Sequence, residues 1–198
     1  MLFRSGQLEL GKMLAGELRR LGVKDAAVDE HGIVMGTVPA TVEGAPTIAW
    51  ISHMDTSPEF TAKNVKPTVH CNWDGQDIPL PGDPSKVIRV AETKGLAELT
   101  GKTLITTDGT TLLGADDKAG VAVIMTAAAH LMVHTEIRHG PVRIVFTCDE
   151  EVGRGVDKLD LKKIGAICAY TLDGESIDRK STRLNSSHIQ KSRMPSSA

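Results

Sequence analysis

The sequence predicts an α/β fold, and three observations carry that prediction. Strand-like and helical runs alternate along the central part of the chain, the pattern of a sheet layered with helices. Only 3% of the residues are aromatic, so the core must be assembled from Val, Ile, Leu, Ala and Met, which suits buried strands under Ala-rich helices better than a β-sandwich. With 40% hydrophobic and 24% charged residues, the composition is that of a globular chain rather than a disordered or membrane one.

The elements follow in order. Residues 7–21 place Leu10, Leu14, Leu18 and Leu21 at helical spacing and end at Gly22, a suitable C-terminal stop. Short β-like runs come next at 26–29, 33–38 and 47–52, separated by His31-Gly32 and by Glu43-Gly44-Ala45-Pro46. Residues 57–101 are rich in Pro, Gly, Asp and Asn, and we read them as a long excursion with little regular structure of its own, a kind of segment that is often functional. A strand is then expected over 103–107, a helix over 117–133, a strong strand over 142–148, a helix near 157–163 and a strand over 166–172.

The 198 residues allow one domain, or one and a fragment. The two ends do not match the middle. Residues 178–198 are polar and basic with no hydrophobic periodicity, too little apolar surface to offset the entropy of ordering, and are expected to be disordered. The strings DRKSTRLNSSH and IQKSRMPSSA look like translated sequencing adapter, and residues 1–5 look like its counterpart on the other side. Residues 6–177 are therefore taken as the informative part. Setting both ends aside removes six basic residues and one acidic one, so the formal charge moves from -2 to -7. Neither value gives an electrostatic reason to expect nucleic acid. Cys71, Cys148 and Cys168 form no CxxC pair and no even framework, as in a reduced, cytoplasmic protein. The longest apolar run, 119–129, is too short to span a bilayer, and the N-terminus lacks a secretory stretch, so a soluble protein is expected.

Four clusters carry the chemistry: His53-Met54-Asp55, Asp116-Asp117, Asp149-Glu150-Glu151 and Asp173. Each is expected just after a strand, and ligands in open α/β sheets bind outside the carboxyl ends of strands. One histidine with several carboxylates suits zinc, manganese or cobalt and lacks the thiolates of a structural zinc site. In an extended His53-x-Asp55 both side chains lie on one side, so Asp55 can accept the proton of the unligated imidazole nitrogen. Glu150 and Glu151 would point opposite ways in extended chain, which divides them between a metal and a water. Taken singly, each cluster also has an ordinary explanation as a surface histidine, an N-cap, a solvated pair or a turn residue. Their conjunction is what points to one site.

The contexts of these clusters add a resemblance. Residues 51–58 (ISHMDTSP), 105–120 (ITTDGTTLLGADDKAG), 146–155 (FTCDEEVGRG) and 170–174 (YTLDG) resemble the co-catalytic zinc metallopeptidase family that contains carboxypeptidase G and aminoacylase-like enzymes, and within it the tripeptide aminopeptidases. The resemblance covers nearly all of 6–177 and neither end. It implies a zinc-exopeptidase-like catalytic domain with a mixed central sheet flanked by helices, and two Zn2+ per complete site. It also implies His53 and Asp173 as ligands of the first zinc, Asp116 as the bridge between the two, Glu151 as a ligand of the second, Glu150 as general base and Asp55 as the orienter of His53. A shared carboxylate is what holds two such ions about 3.5–4 Å apart. The implied substrate is a small peptide, a tripeptide, with no nucleic acid or membrane partner. The family pattern has a further histidine, a ligand of the second zinc near the end of the complete enzyme, and a lid or dimerisation domain; neither is found in this sequence, so the chain as written is expected to be an inactive fragment.

Other readings are weaker. His130 and His134 have the spacing of HExxH, but Leu131 stands where its glutamate would be, and we read the pair as polar helix-end positions. Neither GxxxxGK[ST] nor GxSxG occurs. A dipeptidase or N-acyl-amino-acid hydrolase of the same family is the enzymatic alternative. A magnesium phosphoryl-transfer site on Asp116 and Asp173 is disfavoured by His53, since magnesium prefers oxygen.

Overall fold

The computed structural model describes residues 4–173 and 189–193, the latter by backbone alone. The chain divides into two compact units, one from Met1–Thr56 with Ala115–Ala198 and the other from Ser57–Gly114.

The first unit opens with α1 (Arg4–Arg20), followed by β1 (Ala27–Val28), β2 (Val34–Val38) and β3 (Ile48–His53). In the second unit lie β4 (Thr68–His70), β5 (Ile78–Pro79), β6 (Val87–Ile88), a 3-10 turn (Leu96–Leu99) and β7 (Leu104–Thr106). The first unit resumes with α2 (Ala115–Val133), β8 (Val142–Thr147), a 3-10 turn (Glu150–Val152), α3 (Leu161–Ile164), β9 (Cys168–Leu172) and β10 (Ile189–Arg193).

Six strands make one mixed sheet in the order β1-β2-β8-β3-β9-β10. At its centre β3 runs parallel to both β8 and β9, while β2 pairs antiparallel with β8 and β10 antiparallel with β9. The period of two along β8 sorts its side chains. Val142, Ile144 and Phe146 enter a core shared with Leu14 and Leu18 of α1 and Val121, Ile124 and Ala128 of α2, whereas Val145 enters a second cluster with Met35, Ala49, Ile164 and Ala169. Both clusters are mainly aliphatic, as the low aromatic content requires, with Phe146 in the first. The sheet is thus covered by α1 and α2 on one side and by α3 on the other, which matches the expected α/β class. Among the described residues no helix is long and apolar enough to cross a membrane.

Two expectations change and one is extended. Residues 57–101 carry little regular structure, as expected, but Trp73, Ile78 and Leu96 form a core there, joined by Leu80, Ile88, Val90, Leu99 and Leu104 and framed by the two-stranded pairs β4–β7 and β5–β6. Strands of two or three residues are too short to show a period, which hid them in the sequence. The helix expected near 157–163 shortens to α3, because the Asp160 carboxylate accepts from the amides of Lys162 (2.9 Å) and Lys163 (3.1 Å) and fixes the start there. Residues 189–193, in the tail expected to lack regular structure, form β10 against β9. An edge strand offers backbone donors and acceptors to any extended segment, with no apolar pattern needed. The remainder of that tail and residues 1–3 lie outside the described residues.

Candidate metal centre

The parallel core of the sheet builds the site. Because β3 runs alongside β8 and β9 in the same direction, the three strands end at one edge, with His53 in register with Thr147. His53 is the last residue of β3, and its side chain is 2% exposed. The chain leaving β8 brings Glu150 beside it, and the chain leaving β9 brings Asp173.

Around the imidazole, Nε2 faces Asp116 Oδ1 at 2.9 Å, Glu150 Oε2 at 3.7 Å and Asp173 Oδ2 at 4.0 Å. On the opposite edge Nδ1 faces Asp55 Oδ1 at 3.4 Å, close enough for an ion pair but not aligned as a hydrogen bond, and neither atom has another partner. Asp55 is itself held, since its Oδ2 accepts the Glu151 amide at 3.0 Å. One buried ligand therefore sits under three carboxylates that reach solvent.

Asp116 arrives differently from the expectation. It does not follow a strand of the sheet but lies in the first turn of α2, where Asp116 and Asp117 depart from helical dihedrals and are joined by a cis peptide bond. Asp117 anchors this junction. Its buried carboxylate accepts from the Ser52 hydroxyl, from the His53 amide (3.2 Å) and from the Gly120 amide (3.1 Å). Burial, only partly countered by these bonds, raises its pKa above the usual carboxylate range. Lys118 donates to the Met54 carbonyl at 3.2 Å, and its pKa is lowered by burial against the pull of the surrounding carboxylates. Asp117 was expected in one of the four clusters but without a role of its own, and Ser52 and Lys118 were not among the residues expected to serve the site. The one signal for Asp117 was its place before a helix, where a carboxylate caps an amide three residues on.

The Glu150-Glu151 pair also departs from the expectation. The segment is a 3-10 turn, entered through Asp149 at φ 65°, and successive side chains in such a turn diverge by about 120° rather than alternating. Glu150 faces His53, while Glu151 contributes its amide to Asp55. Among the described residues, the ligand atoms that lie within 4.8 Å of one another belong to His53, Asp116 and Asp173; Glu151 is not in that group.

The electrostatics ask for a cation. Burial pushes the His53 pKa down, but the Asp55 contact and the charges of Asp55, Asp117 and Asp173 outweigh it and bring it up to about 9. A neutral Nε2 lone pair pointed at three carboxylates would be repulsive, so that nitrogen needs either a proton or a metal ion in front of it. The nitrogen and oxygen donor set fits zinc. Glu150 is raised by partial burial and by Asp173, Asp55 and Glu151, with His53 opposing.

Known proteins resemble this chain in sequence and fold. Peptidase family M20/M25/M40 matches residues 105–179, the stretch that carries Asp116, Glu150, Glu151 and Asp173. Peptidase T of Listeria monocytogenes serotype 4b (strain CLIP80459) is 51% identical over 170 residues, 85% of this chain and 42% of the relative. Peptidase T of Geobacillus sp. (strain WCH70) is 54% identical over the same shares. The chain thus spans about two fifths of the length of the curated relatives it matches. Among solved structures, aminopeptidase PepT from Bacillus cereus ATCC 10987 superposes with a TM-score of 0.63 at 30% identity, over 88% of this chain and 39% of that one. A tripeptidase from Staphylococcus aureus gives a TM-score of 0.60 at 27% identity, over 84% and 38%. The mixed sheet with helices on its faces is the fold that the chain shares with these two solved structures.

Proposed function

We propose that this chain is part of a zinc-dependent aminopeptidase that releases the N-terminal residue of tripeptides in the cytoplasm. The observation that carries the reading is the meeting of Asp116, Glu150 and Asp173 within 4.0 Å of the buried His53 Nε2, at one edge of the mixed sheet. The names of the similar proteins, aminopeptidase and tripeptidase, support the substrate class.

In this reading His53, Asp116 and Asp173 would hold one zinc, and Asp116 and Glu151 would serve a second. When bound, zinc makes a water more acidic and a peptide carbonyl more electrophilic. The chain's own residues do the rest. Asp55 keeps the His53 proton on Nδ1, leaving Nε2 free as a donor atom, and the Glu151 amide keeps Asp55 in place. Asp117 fixes the His53 backbone. Glu150, with its raised pKa, takes a proton from the attacking water and returns it to the leaving amine. Because Glu151 stands apart from the three converging ligand atoms, the 198 residues by themselves are expected to bind one zinc and to show no turnover.

The test is tripeptide hydrolysis by the longer protein containing this segment, compared with its Glu150→Gln variant. Turnover should fall about 10²–10⁴-fold with zinc content unchanged. A variant as active as the wild type would overturn the role of Glu150, and chelator-sensitive hydrolysis by the 198-residue chain alone would overturn the expected inactivity.

A further inference from the structure

Two further imidazoles stand at the C-terminal end of α2, His130 in its last turn and His134 just past Val133. His130 and His134 lie one helical turn apart, and the His134 amide donates to the His130 carbonyl at 2.9 Å, so the helical geometry continues through both. Their rings pair with centroids 4.1 Å apart and an interplanar angle of 34°. Two imidazoles at i and i+4 on one helix face are the spacing by which helices chelate zinc, and the carboxylate that HExxH would supply as a base is not needed for binding. A second observation orients the pair. Glu136 Oε1 lies 2.9 Å from His134 Nδ1, which places the proton on Nδ1 and leaves Nε2 as the lone-pair atom. The Glu136 carboxylate is held below its usual range by a backbone hydrogen bond and then by the His134 ring, with charge from both histidines contributing. His130 and Glu136 are exposed and His134 is half-exposed, so an ion can reach them without any rearrangement of the core.

We propose that His130 and His134 form a surface chelate for an imidazole-preferring divalent cation of the Cu2+, Ni2+ or Zn2+ class, with Glu136 as the residue that positions His134. The two imidazoles supply two coordination positions, and water fills the rest. Copper is the most sensitive probe, since it binds such nitrogen sites most tightly among these ions.

The experiment is a Cu2+ titration of the 198-residue chain followed by electron paramagnetic resonance, in the wild type and in His130→Ala, His134→Ala and Glu136→Gln. The wild type should show one equivalent bound by two nitrogen ligands, beside a single-nitrogen signal from the His53 cluster. Each alanine variant should lose that two-nitrogen spectrum and at least tenfold in affinity, while Glu136→Gln should keep the spectrum and bind about 10–100-fold more weakly. The His53 cluster offers a single imidazole, so its signal is separable and should persist in all three variants. All three positions are at the surface, and circular dichroism checks that the helix is retained. A two-nitrogen spectrum that survives either alanine change, or a wild type showing only single-nitrogen binding, overturns the chelate. Unchanged affinity in Glu136→Gln overturns the positioning role.

Discussion

Ser52 and Asp117 stand 65 positions apart, yet the Ser52 hydroxyl donates to the buried Asp117 carboxylate and ties the end of β3 to the start of α2. His53 follows the first of these residues and Asp116 precedes the second, so the two candidate ligands inherit their separation from this bond. Removing it should loosen the junction. Ser52→Ala is expected to lower stability by about 1–3 kcal/mol, the range for a buried acceptor that loses a partner, and to weaken zinc binding. Urea unfolding and isothermal titration with zinc measure the two effects; a variant unchanged in both would show the bond to be dispensable.

Gly120 is the only residue type its position accepts. A Cβ there would meet the Leu172 carbonyl and Asp117 Oδ1 well inside contact distance, and Ser52 Oγ at 2.8 Å. Backbone atoms cannot swing aside as a side-chain tip can. Gly120→Ala should cost about 1–3 kcal/mol through overpacking and displace the end of β9 that delivers Asp173. The control is Gly16→Ala in α1, where nothing lies within 4 Å; it should gain about 0.5–1 kcal/mol. Thermal denaturation of the two variants should shift in opposite directions.

The acid limb of stability should depend in part on Asp25. Burial pushes its carboxyl up, but the Thr37 hydroxyl (2.6 Å), the Thr37 amide (2.7 Å) and Arg143 (3.1 Å) outweigh burial and leave its pKa below the ordinary value. A depressed folded-state pKa means that the contribution is present above the unfolded pKa of about 3.9 and is lost as pH falls through the folded value. Asp25 is about half exposed, so the Coulombic part is screened and the whole is expected to stay below about 1 kcal/mol. The difference in urea midpoint between wild type and Asp25→Asn should be largest near pH 7 and should shrink below pH 4. A difference independent of pH would sink this assignment.

Zinc should stabilise the chain by mass action. At a free concentration 100 times the dissociation constant the gain is about 2.7 kcal/mol, reversed by a chelator. In a His130→Ala background, which removes the proposed surface chelate, His53→Ala should abolish the gain, because it removes the one buried donor that the carboxylates surround. Calorimetric scans with and without zinc give the answer directly, and an unchanged zinc response in the double variant would place the ion elsewhere.

Much of this was readable from local pattern. The alternation along 142–148 marks a strand whose two faces enter different cores, and the leucines of 7–21 mark the buried face of α1, because hydrophobic period is a property of neighbouring residues. His53, Asp55, Asp116, Glu150 and Asp173 were likewise picked out by residue type and context. What local pattern hid was the small core of Trp73, Ile78 and Leu96, whose strands are too short to carry a period.

By itself, the sequence determined the α/β class, the order of the main elements and the donor atoms available to a metal. Only the tertiary structure decided how they meet. The parallel register of β3, β8 and β9 brings His53, Glu150 and Asp173 to one edge, Asp116 reaches that edge from a helix rather than a strand, and a 3-10 turn separates Glu150 from Glu151. The reason is physical: periodicity depends on residues a few positions apart, whereas strand register and bonds such as that between Ser52 and Asp117 depend on packing between segments that no local spacing records.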